Sequence, residues 1–275
     1  MDHGRDSDSN SDQSGFDFGS NWRAFSEARM TPQSLELARE SLASLVGAER
    51  IRNARFLDVG CGSGLFSLAA AVLDAREVLG FDLSAEAVAV SRDNLARLLP
   101  EQTDSGVVRF AQGSILDPAF TATLPRSDVV YAWGSLHHTG AMWRAVDAAA
   151  QCTAPGGILV LALYNRHWTS PLWKIIKNLY NALSGPGRRA MEWALTPPMF
   201  LGAWITTGRF PMTRDRGMDF RYDLVDWIGG TPYEYASPDE VTVHLEKLGL
   251  QRQTLRPQQG FTGCAEYVFH RPGQA

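Results

Sequence analysis

Asp58-Val59-Gly60-Cys61-Gly62-Ser63-Gly64 is the stretch that decides how this chain is read. Arg55 to Gly60 runs into it as a short apolar strand, and Ser63 to Asp74, rich in Ala and Leu, leaves it as a helix. Glycines at a strand-to-helix turn let the backbone bend sharply and approach a ligand without Cβ clashes. The loop ends the first strand, and open α/β sheets bind ligands outside the carboxyl ends of their strands. A dinucleotide loop asks for Gly or Ala at its sixth position, to allow close helix packing, and Leu65 stands there instead. An acid, Asp58, also precedes the first glycine by two positions.

Working outward, strands and helices alternate. Glu77 to Leu83 reads as a strand, Ala85 to Leu99 as a helix opened by Ser84, and Val107 to Gly113 and Asp128 to Trp133 as strands. Met142 to Cys152 follows as a helix and Gly157 to Tyr164 as a nearly continuous apolar strand. Short apolar strands separated by helices imply a mostly parallel sheet covered on both faces. The alternation breaks at Asn165 to Ala236, a block rich in Trp, Phe, Tyr and Arg with helical pieces such as Pro171 to Leu183. Ser237-Pro238-Asp239-Glu240 then opens a helix that Gly249 stops, and Gln251 to Leu255 and Glu266 to His270 read as two last strands. In front of the sheet, Gly19 to Gly47 reads as an aromatic lead-in and a helix capped by Thr31 with Pro32 in its first turn.

The expected organisation is a disordered tail over 1–15, an N-terminal helical lid over 16–50, a cofactor-binding core over 51–165, a substrate-covering insertion over 166–236, and a helix with two strands completing the core over 237–275. The tail is rich in Asp, Ser and Asn and cannot bury enough apolar surface to order itself. The 275 residues are 44% hydrophobic and 20% charged, a globular profile, with a formal net charge of −4. That charge disfavours a nucleic-acid partner, which calls for a basic face. Cys61, Cys152 and Cys264 form no metal-type pair, so no metal is expected. Few cysteines and no signal peptide point to a reducing cytoplasm. No apolar run reaches the roughly 18 residues of a transmembrane helix. Pro197 to Thr206 comes nearest and leaves membrane-surface contact open.

A second carboxylate supports a nucleoside. Asp82 ends the second strand, where an acid accepts hydrogen bonds from ribose hydroxyls, a device nicotinamide enzymes share. Phe56 to Ala70, then Asp82, then Ala111-Gln112-Gly113-Ser114, then Ala154-Pro155-Gly156-Gly157 resembles the ordered motif set of class I S-adenosylmethionine-dependent methyltransferases. Over Phe16 to Asn165 this resemblance implies a Rossmann-like, seven-stranded, mostly parallel sheet with helices on both faces and a helical, aromatic-rich insertion after the fifth strand. It also implies S-adenosyl-L-methionine as cofactor. Gly60, Gly62 and Gly64, with Cys61 between them, would line the methionine part and ribose. Asp58 would orient the loop and approach the amino group, Asp82 with Leu83 would hold the ribose end, and Ser114 and Ile115 would flank the adenine. Many relatives carry Asp where Ser114 stands; Ser accepts more weakly, and Asp117 is close enough in sequence to substitute. Trp133 would border the adenine or the substrate. Cys61 reads otherwise as a small filler, and Gly64 as a packing glycine.

Methyl transfer from a sulfonium is an in-line displacement that needs alignment more than a metal. A hydroxyl, amine or acidic carbon must also lose a proton, and a positioned base helps. His137 and His138 follow the fourth strand at the sheet's carboxyl end, and imidazole titrates near ~6.5. Either could be the base, or the pair could hydrogen-bond loop backbone and do no chemistry. His167 is a weaker candidate at the rim. The insertion's aromatic residues suit an apolar or ring-bearing small molecule, or else form a small second core. Its segment from Arg214 to Glu234 resembles small-molecule methyltransferases of the ubiquinone-biosynthesis type. Arg216, Tyr222, Asp226 and Tyr233 are the expected substrate contacts there, joined by Asn165 and, from the lid, Trp22. The expected activity is methyl transfer to oxygen, before nitrogen or carbon, of a hydrophobic or aromatic metabolite. The alternatives are a non-catalytic S-adenosylmethionine-binding regulatory partner and, more remotely, a nicotinamide oxidoreductase. Oligomeric state is not readable from the chain.

Overall fold

The computed structural model describes residues 18–207, 220–257 and 263–273. Arg216 and the expected tail over 1–15 lie outside them, and so do the side chains of Tyr222 and Asp226. Among the described residues the strands β1 (Arg55–Val59), β2 (Glu77–Asp82), β3 (Val108–Gln112), β4 (Ser127–Trp133), β5 (Thr153–Tyr164), β6 (Gln251–Arg256) and β7 (Cys264–His270) form a seven-stranded sheet ordered β3-β2-β1-β4-β5-β7-β6. Strands β1 to β5 pair in parallel, and β7 inserts antiparallel between β5 and β6. The expected α/β architecture is what the chain adopts. Strand order reverses between β1 and β4, so the crevice at their carboxyl ends is the topological switch point where such sheets bind ligands.

The helices are α1 (Phe18–Arg29), α2 (Pro32–Val46), α3 (Ala48–Ile51), α4 (Leu65–Val72), α5 (Ala85–Leu98), α6 (Pro100–Thr103), α7 (Pro118–Thr121), α8 (Met142–Cys152), α9 (Ser170–Ala182), α10 (Gly185–Thr207), α11 (Phe220–Gly229) and α12 (Pro238–Lys247). Local chemistry sets their ends. Thr31 and Ser237 each close a reciprocal cap with the residue three positions on, and Ser84 caps α5 by accepting from the Ala87 amide. Burial then fixes the layers. Phe25, Met30, Leu42, Leu68, Phe56 and Tyr131 fill one face of the sheet, while Leu57, Val130, Leu161 and Tyr267 pack beneath α8 and α12 on the other. Gly157 to Tyr164 is buried throughout, as an apolar strand flanked on both sides must be.

Three elements differ from the sequence reading. The aromatic lead-in is itself a helix, α1. Strand β5 begins at Thr153, because Thr153 pairs with Ser127 across a bulge in β4 that the hydrophobic pattern does not register. The longest helix of the insertion among the described residues is the 23-residue α10, which continues through Pro197 and Pro198. Proline removes a backbone donor and crowds the preceding turn; here both rings are on the exposed side of the helix, where water can take the released carbonyls. Among the described residues no helix is long and apolar enough to cross a membrane.

Candidate functional site

The glycine loop is held from two sides. The amides of Gly60 and Cys61 both donate to the Phe81 carbonyl, at 2.8 and 3.0 Å, which ties the loop to the end of β2. From α5, Ser91 Oγ donates to the Gly62 carbonyl at 2.9 Å and Asn94 Nδ2 to the Ser63 carbonyl at 2.9 Å. Two glycines are required by what surrounds them. Gly60 has φ +74°, and a Cβ there would stand 2.4 Å from the Ser135 Cβ; Gly62 has φ +55°, and its Cβ would stand 2.6 Å from the Trp22 indole. Gly64, at φ +77°, is the left-handed residue that opens α4.

Asp82 joins this loop to the next. Its Oδ2 accepts from the Gly62 amide at 3.1 Å and its Oδ1 from the Ser84 amide at 2.9 Å, so both oxygens are oriented and each keeps a second acceptor direction. Burial raises its pKa, opposed by those backbone amides. Asp58 is buried and receives a 2.6 Å hydrogen bond from Ser67 of α4. Burial pushes its carboxyl up to about 7, against the Ser67 bond. It therefore stiffens the β1–α4 junction from below the loop. The Cys61 thiol is raised well above its ordinary value by burial, which makes it a filler and not a nucleophile.

Past Asp82, Leu83 is 58% exposed, an apolar side chain at the crevice rim. Ile115 is buried in the core below that rim, and the Ser114 hydroxyl accepts from the Leu116 amide at 3.2 Å. Asp117 is exposed and caps α7 through the Ala119 amide, which uses the carboxylate that could have substituted for Ser114. Trp133 points the other way: its Nε1–H donates to Glu266 Oε1 at 2.9 Å, across Ala162 toward β7. It is on the β5–β7 side of the crevice, away from β2 and β3.

The histidines sit in a 3-10 turn, Leu136–His138, directly after β4. His137 is buried with its Nδ1 unpartnered, and its ring lies 3.8 Å from Tyr164 and 4.4 Å from His138. His138 is half-buried, and its Nδ1 lies 2.8 Å from the Pro232 carbonyl. A carbonyl only accepts, so Nδ1 carries the proton and Nε2 is the acceptor nitrogen. Burial lowers both imidazoles, His137 with further repulsion from His138 and Lys177, His138 from Lys177, the latter to about 3. Both are neutral at cellular pH. Around them the rings of Tyr164, Trp227 and Tyr233 form a box, with Tyr164 4.6 Å from Trp227 and 5.2 Å from Tyr233. The Lys177 ammonium fills it, 5.3, 4.9 and 4.9 Å from the three ring centres, and donates to the Trp227 carbonyl. Tyr233 is raised to about 12 by burial, against its hydrogen bond with Ser170.

The sheet and the insertion are sewn together at this point. The Glu234 amide donates to the His137 carbonyl at 3.1 Å, the Glu234 carboxylate accepts from the Met142 amide, and Asn165 bridges to Ala236. Asn165 Oδ1 is buried without a hydrogen-bond partner, beside the box. His167 instead bonds Thr169 at the rim, and His244 bonds Asp147 at 2.6 Å far from the crevice. Trp22, expected among substrate contacts, lies over Gly62 on the cofactor side, because α1 packs along α5 through Arg23–Glu86 and Ser26–Asn94. The sequence reading did not single out Lys177, Tyr164, Ser135 or Ser67. A signal existed for Lys177: it shares a helix face with Trp173 and Tyr180, four residues before and three after. Ser135 and Ser67 carry no signal until the loop is folded. Among the described residues no group of side chains has metal-ligand geometry. A shallow concavity of about 330 Å³ lined by Arg50, Asp128 and His270 lies at the opposite end of the sheet, where α/β folds do not place their chemistry.

Comparisons with known proteins agree with this geometry. A family model described as a methyltransferase domain matches residues 31–212. The ubiquinone biosynthesis O-methyltransferase of Leptothrix cholodnii is 28% identical over 200 residues, covering 72% of this chain and 81% of that protein. The ribosomal protein L11 methyltransferase of Thiobacillus denitrificans is 50% identical over only 54 residues, covering 20% of this chain and 17% of that protein. Among solved structures, magnesium protoporphyrin IX methyltransferase from Synechocystis PCC 6803, with bound SAH, superposes with a TM-score of 0.54 at 15% identity, over 92% of this chain and 86% of that one. That last likeness is one of fold.

Proposed function

Because the chain belongs to the methyltransferase-domain family and is an S-adenosylmethionine-dependent methyltransferase, we propose that it methylates an oxygen of a small, ring-bearing metabolite. One observation carries this reading: a nucleoside-type carboxylate and glycine loop stand at the same strand ends as a neutral histidine pair inside an aromatic box. The residues present fit the cofactor. The glycine loop turns tightly at the carboxyl end of β1, Asp82 keeps oriented acceptor directions for two hydroxyls, and Leu83 offers an apolar rim beside them. Ser114 and Ile115 would follow that rim toward the adenine, and Trp22 with α1 would close over the loop. When bound, the cofactor supplies a methyl group on a sulfonium that already carries its leaving group.

The chain's own part is alignment and proton handling. His138 is the better base of the two: its tautomer is fixed by Pro232 and its Nε2 is the acceptor. With its basicity reduced by burial and by Lys177, it draws the proton only as the methyl arrives, when the oxygen is most acidic. His137, buried against Tyr164, positions its neighbour. Tyr164, Trp227 and Tyr233, closed on Lys177, exclude water and hold the histidine turn, while Asn165 keeps an unsatisfied acceptor for a donor on the substrate. Oxygen is favoured by the Leptothrix relative, and the acceptor's identity is open within that class.

The experiment is calorimetric titration with S-adenosylmethionine, followed by transfer of labelled methyl to a panel of phenols, catechols and aliphatic alcohols, with products located by mass spectrometry. Tight cofactor binding and an O-methylated phenolic product are expected. Transfer to amines or protein side chains alone would overturn the oxygen assignment.

A further inference from the structure

We propose that the outer faces of α9 and α10 form a docking surface for an anionic lipid bilayer. On α9, Leu172, Ile175 and Leu179 are all exposed, at the three- and four-residue spacing that puts them on one stripe. On α10, Trp193 is 81% exposed, and Leu201 and Ile205 are exposed eight and twelve residues further on. The fold does not use these side chains. The insertion's own core is built from the opposite faces, where Ile176, Tyr180, Met191 and Leu195 meet Leu224 and Ile228. A monomer in water gains nothing from two apolar stripes on neighbouring helices, whereas exposed apolar patches mark interaction sites.

Charge selects the occupant. Residues 165–207 carry Arg166, Lys174, Lys177, Arg188 and Arg189 against a single acid, Glu192, in a chain whose formal net charge is −4. Lys177 is buried in the ring box and Arg166 pairs with Glu240, so the exposed charges beside the stripes are Lys174 on α9 and Arg189 on α10, while Glu192, the one acid of the two helices, accepts from Tyr180. Amphipathic helices with Trp and Leu on one face and basic residues beside it lie in the headgroup plane of anionic membranes. A second copy of this chain would meet a like-charged insertion, which works against self-association there.

The test is co-sedimentation of the full chain with vesicles of phosphatidylcholine alone and of phosphatidylcholine mixed with phosphatidylglycerol, in low and high salt. Binding to the mixed vesicles that weakens with salt is expected. It should fall by about tenfold or more in Ile175→Ser/Trp193→Ser, given the apolar area removed. Thermal melting and cofactor binding of that variant should match the parent, which separates lost docking from lost fold. Absence of binding to mixed vesicles overturns the proposal. So does a concentration-dependent dimer, measured by sedimentation velocity, that the same substitutions abolish.

Discussion

The glycine loop and the helical insertion face each other across one crevice and are built by opposite means. In the loop, backbone conformation does the positioning: the amides of Gly60, Cys61 and Gly62 bond β2, the carbonyls of Gly62 and Ser63 accept from α5, and side chains at Gly60 and Gly62 are excluded by Ser135 and Trp22. In the insertion, side chains do it. Tyr164, Trp227, Tyr233 and Lys177 hold one another through ring faces and a buried charge, and the backbone is ordinary helix. A site made of backbone tolerates little substitution and serves a constant ligand. A site made of rings can be recut for a new acceptor without disturbing the sheet. This division matches a shared cofactor on one side and a variable substrate on the other.

The sharpest way to break the comparison is at the junction between the two regions. His138→Ala should lower turnover by roughly 10²–10⁴-fold, as for loss of a general base, while cofactor affinity measured by calorimetry stays put. Full turnover in that variant removes the base from the site. Next in size, Gly60→Ala combines a positive φ with collision against Ser135 and should cost about 2–4 kcal/mol in urea unfolding. Its counterpart in the insertion, Gly185→Ala, meets open space and should change stability by less than about 1 kcal/mol. Equal losses at the two glycines would erase the contrast. Asp82→Ala should weaken S-adenosylmethionine binding by about 1–3 kcal/mol, the usual cost of a charged hydrogen bond, with the acceptor's KM unchanged.

The smallest expected effect is on pH dependence. The histidines are depressed in the folded protein, so between the folded value (about 3 for His138) and the unfolded one the unfolded chain binds more protons. Their contribution to stability is complete above about 6.5 and is lost as pH falls below it. Asp58 has the reverse sign: raised to about 7, it holds a proton in the native state that the unfolded chain has released, so its contribution fades as pH rises from about 4. The stability gained from pH 5 to pH 7 should therefore be larger in Asp58→Asn than in the parent, and smaller or reversed in sign in His137→Gln/His138→Gln. Lys177→Met should move both imidazole titrations, followed by NMR, toward higher pH, because the neighbouring ammonium is part of what holds them down.

The same contrast explains what could be read from the chain. Glycines 60 and 62, Asp82 and the histidine turn are local in sequence, and each has a chemical reason to stand at a strand end. So the sheet and its order of elements were readable, and these residues stand at the strand ends where the chain's pattern puts them. Trp22 reaches Gly62 only through the packing of α1 on α5, a contact that no local pattern in the chain announces. Asp117 was near Ser114 in sequence, but the cap of α7 claims it. Lys177 shows the limit most plainly. A lysine on a helix reads as solvated, and only the closing of Tyr164 from β5 and of Trp227 and Tyr233 from beyond α10 makes it a buried charge.

The indole of Trp22 rests on the very glycine whose amide steadies Asp82. A nucleoside seated there, as proposed above, would leave only as the first helix moves aside, and the partly exposed Arg23–Glu86 ion pair at 2.5 Å ties that helix to α5. Ionic strength should then tune how fast the protein resets between turnovers, and the fluorescence difference between the parent and Trp22→Phe would separate that ring from the other seven tryptophans and time each opening.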